Sequence, residues 1–518
     1  MFAKRFWVVL LVMITALASA SLACQRLAEP VTQSVQPGAT ATLSFRNPSP
    51  TATLNPLIPP TRIPGAPYYT PTPDLPHPLP TPRSEAVNYV VQAGDSLALI
   101  AQRFGVSYQM IVEANQIENP NLIDVGLQLV IPPPDPDQAR PDFKIVPDSE
   151  LVYGPFSAFF DIPGFIASQG GYLSTYQEEI DEETTWSGAE IIRRVATDYS
   201  VNPRLLLAIL EYQSGWVTQN LPAEDTEQTL LDYPLGLLDP NRKGLYHQLT
   251  FTANELNRGY YIWRAGGLAT WVLADGDVLL PSPLVNAGTA GVQNFFSKIL
   301  GRDEWEQAIL ENGLFATYVQ LFGYPFDYAL EPLVPDALSQ PALQLPFEPG
   351  VSWAFTGGPH GGWGDGSAWA ALDFAPPGDV LGCVESDAWV VAMADGPVVR
   401  SADGAVVQDL DHDGLEQTGW TVLYMHIESR DRVKTGVYLK AGDKIGHPSC
   451  EGGVSTGTHV HLARRYNGEW IPADTTLPFV MDGWVSAGAG QEYDGYLIRN
   501  GKSIEAWNGR SEANQIQK

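Results

Sequence analysis

Four of the chain's eight histidines fall late in the sequence, in three short segments that also hold an aspartate. His459 and His461 alternate with Val460 and Leu462, and that alternation predicts a β-strand with both imidazoles on one face. Asp373 lies in a strand-like run from Trp369 to Phe374, and His360 sits thirteen residues earlier in a glycine-rich loop. A third strand-like run, from Trp420 to Ile427, carries His426. Catalytic zinc takes three protein ligands and keeps one position for water, whose pKa falls to about 7 on binding. A neutral imidazole nearby, with an ordinary pKa of about 6.5, exchanges protons near neutral pH. The residue set is that of a one-zinc hydrolase.

In order and spacing these segments resemble the lysostaphin-type zinc endopeptidases, above all their β-lytic and staphylolysin branch. The resemblance runs roughly from Pro341 to Trp484 and implies a mostly antiparallel β-sheet metallopeptidase domain over 341–518. It also implies that His360, Asp373 and His461 hold Zn2+, that His459 is the general base, and that His426 either binds the oxyanion or orients the water. Commoner members carry a histidine four residues before the aspartate, where this chain has Trp369, so the ligand role falls to His360. Asp365 shares the glycine loop and is a rival to Asp373; a strand holds a ligand more firmly than a loop, which favours Asp373.

A chain of 518 residues is too long for one ordinary core, and its sections differ sharply in composition. Lys4 and Arg5 precede an apolar run and then Leu22-Ala-Cys24, which predicts a secretory leader over 1–24. Cys24 resembles the lipidated cysteine of a bacterial lipoprotein; plain cleavage and an uncleaved membrane anchor are the alternatives. Residues 25–86 are rich in Pro and Thr and predict an extended spacer.

Residues 87–132 read as a small βααβ unit, with one helix capped by Asp95 or Ser96 and ended at Gly105, and a second beginning near Ser107. This stretch resembles the LysM module. The resemblance implies binding of N-acetylglucosamine-containing glycan strands by loops holding Gly94, Asp95, Ser96, Asn115 and Ile117, although Gly94 and Asp95 equally suit a turn and a cap.

Residues 145–340 show helical spacing at Ile191 to Tyr199 and Pro203 to Tyr212, and again at Leu249 to Tyr261, Gly291 to Leu300 and Trp305 to Phe322. An all-α domain is expected. Tyr199 to Trp216 resembles the active-site helix of lysozyme-like lytic transglycosylases, but Gln213 stands at the position of the acidic residue. An amide cannot replace a general acid, and Glu211, two residues away, faces another side of the helix. The domain therefore reads as a non-catalytic scaffold or glycan holder.

Two further features lie within 341–518. Asp409, Asp411 and Asp413 alternate before Gly414, like the start of a Ca2+ loop, but the twelfth position is Trp420, so either calcium or an acidic hairpin turn accounts for them. Cys383 and Cys450 remain once Cys24 is set aside, and in an exported chain they are expected to form a disulfide.

The net charge of −29 argues against nucleic-acid binding. The fold class is multidomain α+β. The function read from the sequence is a zinc endopeptidase that cuts peptide bonds in peptidoglycan, extracellular, wall-associated and membrane-anchored through lipid. The alternatives are a non-catalytic wall-binding or hydrolase-activating protein and a general secreted protease acting on glycine-rich proteins.

Overall fold

The computed structural model describes residues 77–79, 83–92, 95–117, 119–120, 123–134, 141–181, 184–220, 228–267 and 270–518. The leader, Cys24, most of the proline-rich stretch and Gly94 lie outside the described residues. No helix among the described residues is long and apolar enough to cross a membrane.

The first unit follows the expected βααβ order. Strands β1 (Val87–Val90) and β2 (Gln128–Ile131) pair antiparallel, with α1 (Leu97–Phe104) and α2 (Tyr108–Asn115) between them. Ser96 Oγ accepts from Leu99 N, Gly105 turns the chain at φ 67°, and Ser107 Oγ accepts from Met110 N. The core of this unit, built on Ile100, Ile111 and Ile131, is completed by Val278 from a short hairpin of the next region.

That next region is mainly helical: α3 (Gly188–Tyr199), α4 (Pro203–Ser214), α5 (Leu245–Arg264) and α6 (Ala287–Ser297) are its chief elements. A capping box of Ser187 and Glu190 opens α3, and Asn202 with Pro203 opens α4. Helices α5 and α6 pack closely because Gly259 and Gly291 face one another; a Cβ on Gly259 would stand 2.9 Å from the Gly291 Cα. Two expectations need correction. The region is not all-α, since it contains antiparallel hairpins at Gln177–Glu179 with Thr185–Ser187 and at Trp271–Val272 with Val278–Leu279. Nor is Trp305 to Phe322 one helix: the backbone leaves helical geometry at Gly313 (φ −90°, ψ −132°).

The C-terminal region is built on a nine-stranded sheet. Its path uses β3 (Ser352–His360), β4 (Ala371–Ala375), β5 (Gly396–Ala402), β6 (Ala405–Asp409), β7 (Trp420–Met425), β8 (Tyr438–Leu439), β9 (Val460–Tyr466) and β10 (Gln515–Gln517), in the order β8-β5-β6-β7-β9-β4-β3-β10, with Glu469–Trp470 added beside β9. All these pairings are antiparallel. Alternation divides the sheet into two faces. Leu372, Phe374, Val406, Val422, Tyr424, Val460 and Leu462 enter an all-β core. Ala371, Val407, Leu423, Met425, Ala463 and Trp470 share one apolar core with the helices. Helical region and sheet are thus halves of a single packed body.

Candidate metal centre

Asp373 and His461 are direct cross-strand partners on β4 and β9, and both project from the face that meets the helices. Gly357 is paired with Asp373 on the other side, and its lack of a side chain is required: a Cβ there would lie 2.8 Å from Asp373 Oδ2. His360 is the last residue of β3, rather than part of the loop expected from its glycine neighbours. Register shifts in β3 before His360 re-aim the strand end so that its imidazole reaches the pair.

Three donor atoms converge here. His360 Nε2 lies 3.2 Å from Asp373 Oδ1 and 3.0 Å from His461 Nδ1, while His461 Nδ1 lies 3.2 Å from the same Oδ1. The remaining nitrogen of each ring is tied to a backbone carbonyl: His360 Nδ1–H donates to Gly358 O (2.8 Å) and His461 Nε2–H to Gly362 O (3.1 Å). Those partners assign the tautomers and leave two lone pairs facing each other. Asp373 Oδ1 is buried and has no hydrogen-bond partner of good geometry. With both rings neutral, two facing lone pairs beside a buried carboxylate oxygen that lacks a hydrogen bond of good geometry fit a cation. Ligands about 2.05 Å from a tetrahedral ion stand about 3.3 Å apart, close to the spacings found.

The electrostatics agree. Burial disfavours the Asp373 carboxylate, yet His360 and His459 beside it hold its pKa well below the ordinary value. Burial also disfavours a charged His360, but Asp373 outweighs it and lifts that pKa, whereas His461 is lowered by burial.

Two more histidines face the same cleft. His426 follows β7 with φ 64° and gives its Nδ1–H to Glu451 O (2.9 Å); His459 precedes β9 and gives its Nδ1–H to Gly457 O (2.7 Å). Each turns Nε2 away from that carbonyl, and His459 Nε2 lies 3.7 Å from Asp373 Oδ1. His426 is pushed down to about 3 by burial and by the nearby His459 and His461, so it is neutral at working pH. The ring centroids of His426 and His459 are 4.5 Å apart.

Asp365, the rival carboxylate, is held elsewhere. Asn254 Nδ2 donates to its Oδ1 (2.8 Å) and Arg258 pairs with its Oδ2 (2.9 Å), both from α5. One cleft residue carried no sequence signal: Tyr493 stacks on His360 at 4.2 Å between ring centroids, arriving from a turn where its φ is 68°.

Cys383 and Cys450 form a disulfide. It ties the loop after β4 to the loop leading into His459, where Ser455 Oγ lies 3.3 Å from His459 Nδ1.

The other candidate residues are engaged within the fold. Asp95 accepts from Tyr89 Oη–H and Gln92 N, Ser96 caps α1, and Asn115 exchanges two hydrogen bonds with Val130. Ile117 packs against the small core. Glu211 accepts from Val217 N and Thr218 N, both at 3.0 Å, and Gln213 donates to Leu235 O. Asp409, Asp411 and Asp413 lie within 4.8 Å of one another in the turn between β6 and β7. There Asp409 accepts from the backbone N–H groups of Asp411, His412 and Gly414.

Similarity to known proteins follows the same divisions. Residues 89–132 match the LysM domain, 144–334 the N-terminal domain of LasA, and 380–473 peptidase family M23. His426, His459 and His461 lie inside the last match, and His360 and Asp373 lie just before it. Protease LasA of Pseudomonas aeruginosa is 26% identical over 348 residues, covering 62% of this chain and 74% of that protein. The beta-lytic metalloendopeptidase of Achromobacter lyticus is 29% identical over 174 residues, 31% of this chain and 43% of that one. Among solved structures, the M23 metalloprotease pseudoalterin is 24% identical with a TM-score of 0.27, covering 33% of this chain and 97% of its own. The chain joins a LysM domain, a LasA-type helical region and an M23 peptidase domain, and it is a metalloendopeptidase.

Proposed function

We propose that this metalloendopeptidase is zinc-dependent, hydrolyses peptide bonds in bacterial peptidoglycan and is held at the wall by its LysM unit. The observation that carries the reading is the common orientation of four imidazoles. Each is tied to a backbone carbonyl through one nitrogen and offers the other to a cleft centred on buried Asp373. His360, Asp373 and His461 would hold the ion, which when bound supplies an acidified water and polarises the scissile carbonyl. His459 takes a proton from the attacking water through Nε2. It returns that proton to the departing amine nitrogen as the C–N bond breaks. His426, neutral and fixed at Nδ1, orients the water by accepting a hydrogen bond at Nε2. Stacked against His360, Tyr493 limits the swing of that ring.

The helical region serves as scaffold, since the Glu211 carboxylate is occupied by the Val217–Thr218 turn and Gln213 has no acid to offer. Glycan binding belongs to the LysM unit, through its surface around Gly94 to Ser96 and Asn115 to Ile117, and peptidoglycan is the partner of both ends of the chain. Cys24 carries the lipid anchor in this reading, which makes the protein extracellular and wall-associated. Calcium has one place in it, beside Asp411, whose carboxyl is pushed up to about 9 by burial and by Asp409 and Asp413.

The test uses the whole chain, because the peptidase sheet shares its core with the helices. Purified peptidoglycan is incubated with and without chelator and new termini are identified by mass spectrometry. Chelator-sensitive release of amino termini is expected; release that ignores chelator, or no release by metal-loaded protein, refutes the reading.

A further inference from the structure

The helical region meets the sheet through charged groups as well as apolar ones, and one of those groups is poorly matched. Asp198 of α3 pairs with Arg400, Arg194 of α3 with Asp403, and Arg258 of α5 with Asp365. A fourth pair joins Arg264, the last residue of α5, to Glu469 on the short strand beside β9. We propose that Glu469 is a proton-linked latch: the helices dock on the sheet with its carboxyl protonated, and docking loosens as that proton leaves.

Three observations carry this. First, Glu469 is 3% exposed, and its Oε2 is buried with no hydrogen-bond partner among the described residues. Its Oε1 is the atom that meets Arg264 Nη1, at 3.2 Å. That guanidinium is shared, since the same Nη1 donates to Tyr260 Oη at 3.0 Å, and the Arg264 side chain is 41% exposed. Water screens such a pair, so its attraction is smaller than the cost of burying a carboxylate.

Second, the other groups packed against Glu469 do not make up the difference. On α5, Tyr260 and Tyr261 stand near it as neutral phenols, the pKa of each raised by burial. Tyr261 Oη accepts from Trp470 N, next in the chain. From the short helix Asp148–Leu151, Asp148 adds a second negative charge, itself bonded by Asn286 Nδ2 and Gly288 N. On the sheet, Tyr466 is the strand partner of Glu469 and Arg465 is committed to Glu416. Burial disfavours the Glu469 carboxylate more than Arg264 favours it, Asp148 adds to the burial and Tyr260 opposes it, so the carboxyl is pushed up to about 7.

Third, the position is one that undocking uncovers. Glu469 is held against α5, and Trp470 beside it belongs to the apolar core shared by helices and sheet. Apart from α5, the carboxyl regains water and its ordinary pKa of about 4.3. Apolar burial sets how tightly the regions hold, and the proton sets how that hold varies with pH. Below about 4.3 the carboxyl is protonated whether docked or not and costs nothing; the penalty on the docked form grows as pH rises to about 7 and is constant above. Burial disfavours the Asp365 and Glu416 carboxylates too, but Asn254 and Arg258 hold the first, and Arg400 and Arg465 the second, below the ordinary value, so both stay ionised across that window. The sheet face concerned also carries Asp373 and His461, so proton loss at Glu469 loosens the cover on the side where the metal centre lies.

The test is native-state hydrogen exchange on the full chain between pH 5 and 8, corrected for intrinsic rates, where exchange reports the opening equilibrium. Two peptidase amides bond across the junction, Trp470 N to Tyr261 Oη and Gly366 N to Asn254 Oδ1. Their protection should fall about tenfold per pH unit from pH 5 to 7 and level off beyond. Amides of β7 paired with β9 should stay more protected at every pH, which marks undocking as a partial opening. Glu469→Gln keeps the shape of the neutral carboxyl and cannot ionise, so its junction protection should lie within several-fold of the parent at pH 5 and exceed it about 100-fold at pH 8. Arg264→Gln removes the cation that steadies the carboxylate, and the fall should continue past pH 7. A Glu469→Gln chain that follows the parent at every pH overturns the proposal, as does an Arg264→Gln chain that levels where the parent does. Equal protection of junction and β7 amides overturns it as well, because the opening would then be whole-chain unfolding. Cleavage is not read, so the outcome stands apart from the peptidase reading.

Discussion

Two groups of three ligand-type side chains lie in the peptidase domain, each with its atoms within 4.8 Å, and they are built on opposite principles. In the His360, Asp373, His461 group, the ring protons are drawn off to Gly358 O and Gly362 O, so the inward atoms carry lone pairs and nothing else. In the Asp409, Asp411, Asp413 group, the oxygens are largely occupied: Asp409 accepts three backbone N–H groups, and Asp413 accepts Leu415 N and Thr418 Oγ1–H. Proximity of ligand types is common to both. What separates them is whether the surrounding backbone takes the protons away or supplies them: the ring protons go to carbonyls in and just after β3 in one case, and the N–H groups of the turn after β6 point at the carboxylates in the other.

The sharpest way to break the contrast is to remove an inward lone pair. His360→Ala and Asp373→Ala should lose bound zinc, measured by elemental analysis after gel filtration, and lose peptide cleavage with it. His459→Ala should keep its zinc and still lose about 10²–10⁴-fold in kcat, the usual worth of a positioned general base. Zinc loss in His459→Ala equal to that in His360→Ala would place His459 among the ligands and dissolve the assignment.

A milder probe leaves every ligand in place. Gly357→Ala puts a methyl group 2.8 Å from Asp373 Oδ2 and 3.0 Å from its Cβ, so the carboxylate must shift. Displacing a ligand by a few tenths of an ångström should weaken zinc about 10–100-fold, as loss of an orienting partner does, while the fold survives. Competition with a chromogenic chelator measures it. Unchanged affinity would mean that Asp373 has slack the geometry does not show.

How far this was legible in the chain depends on the range of each interaction. His459 and His461 announce themselves through period-two alternation, and Asp373 through its strand, because side-chain direction in a strand is a local property. The turn residues around Ser96, Gly105 and Ser107 were legible for the same reason. The break at Gly313 was not, since helical spacing continues across it and only packing ends the helix. Tyr493 carried no signal because it comes from a loop with no period and meets the site only through tertiary packing. The glycines at 357, 364 and 366 were visible as residues, but their reason, the close approach of Asp373 or of α5, exists only in three dimensions.

The smallest effect should come from the acidic turn. Asp411 is the odd member of its group: its Oδ1 is buried without a partner, and its carboxyl is pushed up to about 9 by burial and by its acidic neighbours. A carboxyl whose folded pKa exceeds its unfolded value near 3.9 costs nothing below that value, and it destabilises the fold progressively as pH rises from about 4 toward 9. Asp411→Asn removes that ionisation. The variant should therefore gain thermal stability over the parent at pH 8 and little at pH 4.5, in chelator-treated protein. Millimolar calcium should raise the unfolding midpoint of the parent at pH 8, where the carboxylate is most strained, and leave the variant nearly unmoved. A parent and variant with the same pH profile would show that Asp411 ionises freely in the folded chain. The acidic turn would then carry no strain for a cation to relieve.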